Sequence, residues 1–144
     1  MTTMKTWALA FLLAAAPAIA AAPQIAVTQA WIRALPGDLP AGGYFTLRNA
    51  TAKTLTLNGA ASPACGMLML HKSDTMGGMS SMSDVAAVDI APGATLSFAP
   101  GGYHLMCMDP TPAIKPGGHV PVTLKFSDGS TVQATFAVRG ANGK

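Results

Sequence analysis

"HVPVTLKFSDGSTVQATFAVRG" (residues 119–140) is the stretch whose reading decides the fold. Val122, Leu124 and Phe126 alternate with Thr123 and Lys125, and after "SDGS" Val132, Ala134, Phe136 and Val138 repeat the alternation. Side chains of a strand point to opposite faces in turn, so this period of two predicts two half-buried strands. The glycine-bearing turn between them closes a β-hairpin.

Working outward from this hairpin, the same period recurs and helical spacing is hard to find. "QIAVTQAWIRALP" (residues 24–36) reads as a first strand ending at Pro36. "GGYFTLRNATAKTLTLNGA" (residues 42–60) holds two more, joined through a polar turn at 49–53. "GMLMLHKSD" is a fourth strand, ending near His71. "SDVAAVDIAPGATLSFAPGGYHLMCMDP" (residues 83–110) holds three short ones separated by Pro-Gly turns. Eight or nine short strands with turn signals every 8–12 residues or so predict an all-β, antiparallel sandwich. "TMGGMSSMSD" (residues 75–84) differs, and its glycines and serines predict a flexible loop carrying three methionines.

The chain has 144 residues, suited to one domain with a real core. Half of it is hydrophobic, and much of that excess lies at the front. "MTTMKTWALAFLLAAAPAIAAAPQ" combines Lys5, an apolar run over residues 7–16 and an A-x-A site at Ala18-Ile19-Ala20. The run is shorter than the ~20 residues a membrane-spanning helix needs. Residues 1–20 are therefore read as a cleaved secretory signal, and 21–144 as a single domain with no membrane span, exported to the periplasm. Formal charge is +3, and the Lys and Arg residues are scattered singly, which excludes a nucleic-acid partner. There is no glutamate, and the six aspartates sit mostly in turn-like contexts, so a paired-carboxylate enzyme site has little to draw on. No nucleophile–base pair is legible, and the protein is not expected to be an enzyme.

The chemistry concentrates in two strands. By alternation Leu68 and Leu70 take one face, and Met69 and His71 the other. In "YHLMCM", Leu105 and Cys107 share a face, while His104, Met106 and Met108 share the opposite one. The leucines mark the core side, so histidine and methionine project away from it. A thioether is a soft donor that suits Cu(I), whereas zinc and iron sites draw on imidazole, thiolate or carboxylate. Methionine also serves as a core gap-filler, but that role does not explain methionines on the outward face.

The spacing His71-x10-Met82-x21-His104-x-Met106 resembles the signature of the PCuAC family of periplasmic copper chaperones. The surrounding "AGGYFTLRN", "APGATLSFAPGGYHLMCM" and "VPVTLKFSDG" extend the resemblance over nearly the whole chain after the leader. The resemblance implies a cupredoxin-like Greek-key antiparallel β-sandwich holding one Cu(I) on His71, Met82, His104 and Met106. It also implies delivery of that ion to the CuA centre of cytochrome c oxidase subunit II, with a Sco-type protein as a further partner. Met82 would come from the mobile loop and release first. Met76, Met79 and Met108 are extra thioethers, either auxiliary to capture or merely tolerated loop and rim residues.

Other readings stay open at this level. Copper storage or resistance would use the same ligands. A cupredoxin-type electron carrier would need a cysteine thiolate in the metal plane, and the parity of Cys107 turns it toward the core. A metal-free sandwich is the remaining alternative. An even cysteine count in an oxidising compartment favours a Cys65–Cys107 disulfide. Parity opposes it, because Cys65 shares a face with His71, unless Gly66 hosts a kink that reverses the side chain; otherwise the two thiols stay separate.

Overall fold

The computed structural model describes residues 15–18 and 24–144. Apart from residues 15–18, the leader read at 1–20 lies outside the described residues. Ten strands follow in order: β1 (Ile25–Arg33), β2 (Ala41–Asn49), β3 (Leu55–Ala61), β4 (Cys65–Met76), β5 (Met79–Asp84), β6 (Val88–Ile90), β7 (Thr95–Phe98), β8 (Tyr103–Pro110), β9 (His119–Phe126) and β10 (Thr131–Arg139). They are hydrogen-bonded in the order β5-β4-β8-β2-β1-β10-β9-β3-β6, and β7 pairs separately with β2. β2 changes partner along its length. Ala41–Gly43 pair with β8, and Phe45–Arg48 pair with β7.

The alternation in the closing hairpin sorts as expected. Val120, Val122, Leu124 and Phe126 of β9 are buried, as are Phe136 and Val138 of β10. At the turn, the Ser130 hydroxyl and backbone N–H both donate to Asp128 Oδ1. Those two bonds hold the exposed Asp128 carboxyl below the usual carboxylate range. One core cluster draws on every strand except β5, with Phe45 packed against Phe98 and Phe136 at ring-centroid distances of 4.5 and 5.9 Å. Asn49 is the fully buried polar residue within it. Its amide donates to the Lys53 and Ile90 carbonyls, and its oxygen accepts from Thr51, so the burial leaves nothing unpaired.

Two expectations need correction. The sheet is mixed, because β1 runs parallel to β10, with Trp31 opposite Ala137. The first and last strands adjoin without a turn between them, so no hairpin forces them antiparallel. Residues 75–84 are not a loop. β4 and β5 form a regular antiparallel ribbon from His71↔Asp84 to Met76↔Met79. Gly77 and Gly78 have φ of +58° and +80°, the two left-handed residues of a type I′ turn. A serine-rich strand exposed on all six residues lacks the apolar alternation by which strands are found.

The structure joins Cys65 to Cys107 by a disulfide, with Cα atoms 5.4 Å apart. The parity conflict is resolved at Gly66 and Asp109, without a register shift between β4 and β8. Asp109 adopts a left-handed φ of 48°. A Cβ on Gly66 would lie 2.9 Å from the Asp109 Cβ, so glycine makes room for the twist that turns Cys65 inward.

Candidate metal centre

The centre is built across three neighbouring strands, β5, β4 and β8. β4 and β8 pair so that His71 stands directly opposite His104, and the two rings meet edge to face with centroids 5.6 Å apart. On the other side of β4, Asp84 of β5 is opposite His71 and Met82 is opposite Ser73. Residues opposed across antiparallel strands share a face, so Met82 lies diagonal to His71 on the histidine face. One residue pair further along, Met106 sits between Met69 and Gly42 of β2. Met82, His104 and Met106 line one cavity of about 320 Å³ together with Arg33, Tyr44 and Ser73. His71 is not among the lining residues and meets the cavity's edge only through its ring contact with His104.

His104 is only 5 % exposed, less open than its outward parity suggested. Its Nδ1 lies 3.2 Å from the Gly102 carbonyl. A carbonyl can only accept, so in the neutral ring Nδ1 carries the proton and Nε2 keeps its lone pair. That Nε2 is buried and has no hydrogen-bond partner. Gly102 reaches this position because Gly101 takes φ +87° in the turn before β8. The Gly102 carbonyl also accepts from the Ser73 N–H, which ties the turn to β4. His71 has both ring nitrogens buried and unbonded, although Nε2 approaches the exposed Asp84 carboxylate to 2.9 Å without the alignment of a hydrogen bond. A buried imidazole nitrogen with no partner is costly unless something binds it.

Among the described residues, no three His, Cys, Asp or Glu side chains gather into a metal cluster. The soft donors lying beside the histidine pair are the thioethers of Met82 and Met106. Cys107 contributes none, being fully buried with its sulfur bonded to Cys65. Without a thiolate, the site lacks the strong in-plane ligand of a blue-copper centre. Two imidazoles and two thioethers form a soft, uncharged donor set suited to a monovalent ion.

The extra methionines separate by face. Met76 and Met79 oppose each other at the tip of the β4–β5 hairpin and are exposed. Alternation puts both on the side away from His71 and Met82. Met108 lies on the histidine face of β8, opposite Met67 of β4. Sequence reading missed Asp84, Tyr44 and Arg33 as neighbours of the site. Arg33 stacks its guanidinium over Trp31 and Tyr44 at 5.3 and 5.5 Å. A bulge in β1 between Thr28 and Trp31 sets the register that brings Trp31 opposite Tyr44, and nothing in the sequence marks it.

The family described as "Putative lipoprotein LpqE-like" matches over residues 25–138, from the first strand to the last. The chain belongs to this family. This LpqE-like chain is also 33 % identical over 120 residues to "Putative lipoprotein Lxx21020" of Leifsonia xyli subsp. xyli, covering 83 % of the chain and 72 % of that protein. Among solved structures it is similar to the copper-bound PCuAC domain from PmoF2, with a TM-score of 0.66 and 24 % identity over 83 % of the chain and 96 % of that domain. It is similar as well to CuI-DR1885 from Deinococcus radiodurans, with a TM-score of 0.62 and 32 % identity over 76 % of the chain and 74 % of that protein. The fold is the cupredoxin-like β fold of PCuAC domains.

Proposed function

We propose that this LpqE-like chain is an exported Cu(I) metallochaperone that carries one ion on His71, Met82, His104 and Met106. The observation that carries this reading is the buried, unpartnered Nε2 of His104, fixed as a lone-pair donor by the Gly102 carbonyl on a residue that lines one cavity with two thioethers. Outer-shell hydrogen bonds of this kind orient metal-binding histidines. The Cu(I) form of DR1885, which is 32 % identical to this chain, supports the identity of the ion. The lipoprotein descriptions of its relatives support export, with the periplasm as destination. Among the described residues no helix is long and apolar enough to cross a membrane.

The chain acts as a carrier, and the receiving partner is the CuA site of cytochrome c oxidase subunit II, alone or with a Sco-type protein. Thioethers hold Cu(I) more weakly than thiolates do, so transfer to a dithiol acceptor runs downhill. Met82, 60 % exposed on an edge strand, is the ligand placed to let go first. The test mixes anaerobic Cu(I)-loaded protein with an excess of a reduced CuA-domain acceptor and measures copper in each after separation. Transfer of most of the ion is expected; retention would make storage the better description.

A further inference from the structure

β4 and β8 present more soft donors than a single ion requires, in a regular arrangement. Their register stacks three cross-strand pairs on one face: His71↔His104, Met69↔Met106 and Met67↔Met108. Directly opposed residues have Cβ atoms about 4.5–5.5 Å apart, and successive pairs on one face follow at about 7 Å. Beneath them, on the core face, Leu68, Leu70, Leu105 and Cys107 are buried, and the Cys65–Cys107 bridge ties the two strands at the Met67–Met108 end. Four thioethers are thus held on a stiff two-stranded support. Met67 is 57 % exposed, so burial does not account for its presence there. Isolated exposed apolar residues are ordinary, but two adjacent pairs made wholly of methionine on the outward face form a donor array. Methionine is unbranched with three rotatable bonds, so opposed thioethers about 5 Å apart at Cβ can converge on one ion.

We infer that Met67, Met69 and Met108 form a second Cu(I) site beside the histidine pair, using thioethers alone and adjoining it through Met106. With no imidazole, this site is the weaker of the two. It receives the ion at the exposed end of the strand pair and passes it along the face to Met106, His104 and His71. Binding exchanges one thioether for another around an ion that stays Cu(I), so no oxidant or reductant takes part. The inference goes beyond the carrier reading, since the thioether site stands whether or not the histidine pair binds copper.

The experiment titrates the full protein with Cu(I) under anaerobic conditions against a competing chelator, following methionine methyls by 13C–1H NMR. Wild type should take two equivalents, the second shifting the methyls of Met67, Met69 and Met108. The H71A/H104A variant should lose the tight step yet still take one equivalent on those three methyls. The M67L/M69L/M108L variant should take one equivalent, bound as tightly as the first in wild type. Leucine is close in volume to methionine, and Met67→Leu alone, at an exposed position, should weaken the second step about tenfold if the triple variant misfolds. Two undiminished equivalents in both the triple variant and Met67→Leu would overturn the second site and leave the histidine site intact. A double-histidine variant whose three methyls never move would overturn it as well. Undiminished tight binding in that variant would instead remove the histidine assignment.

Discussion

His104 shows how one backbone carbonyl prepares a side chain. The Gly102 oxygen selects the tautomer, and burial then removes the water that would otherwise occupy Nε2. His71 differs: whichever way it meets Asp84, one of its two unbonded nitrogens remains for an ion. Losing an outer-shell partner typically lowers metal affinity 10–100-fold. His71→Ala and His104→Ala remove the donor itself, so each should lower Cu(I) affinity by more than about 100-fold. His119, exposed at the start of β9, should be replaceable by alanine without effect. Chelator competition measures all three, and equal losses from His119 and His71 would remove the assignment.

Among the elements, the β4–β5 hairpin and the disulfide do separate jobs. The hairpin delivers Met82 from an edge strand that buries nothing, so its shape rests on the Gly77-Gly78 turn and the backbone ladder. Left-handed backbone costs a residue with a Cβ about 1–2 kcal/mol. The G77A/G78A variant should therefore fray β5 and weaken Cu(I) binding severalfold, while its thermal midpoint stays near wild type because β5 adds nothing to the core. A midpoint lowered as far as that of a core variant such as Leu105→Ala, with copper binding unchanged, would contradict this division. The Cys65–Cys107 bridge closes a loop with a sequence separation of 42. On the chain-entropy model that closure stabilises by about 4 kcal/mol. Reduction, or the C65A/C107A variant, should lower the urea midpoint accordingly and steepen the slope of the transition, because the unbridged unfolded chain exposes more surface.

At the scale of the whole molecule, the proposed ligands sit on strands whose packing is complete without an ion. Three of them, His71, His104 and Met106, lie on β4 and β8, whose other face is held by core leucines and the disulfide. Loading should therefore stabilise the folded state without reorganising it. At free Cu(I) one hundred times the dissociation constant the gain is about 2.7 kcal/mol. It should appear as a raised denaturation midpoint with an unchanged far-UV circular dichroism spectrum. A large spectral change on loading would mean that the centre is assembled by the ion.

Alternation along β4, β8, β9 and β10 was enough to assign strands, faces and core, because a period of two is a local property of extended chain facing a single core. Spacing singled out His71, Met82, His104 and Met106 as the proposed ligands, since soft donors away from leucines are informative wherever the strands end up. Residues 75–84 escaped because an edge strand exposed on all sides carries no apolar pattern. Only the "GG" pair, a type I′ turn signal, marked the hairpin there. The inward turn of Cys65 was equally hidden, resting on the left-handed backbone of Asp109 across the sheet from Gly66. Cross-strand register was the tertiary structure's own contribution. It set His71 against His104, Met69 against Met106 and Met67 against Met108, and it brought Asp84, Tyr44 and Arg33 to the rim. Register depends on which strands pair and where they bulge, and those choices are made by packing between segments far apart in the chain.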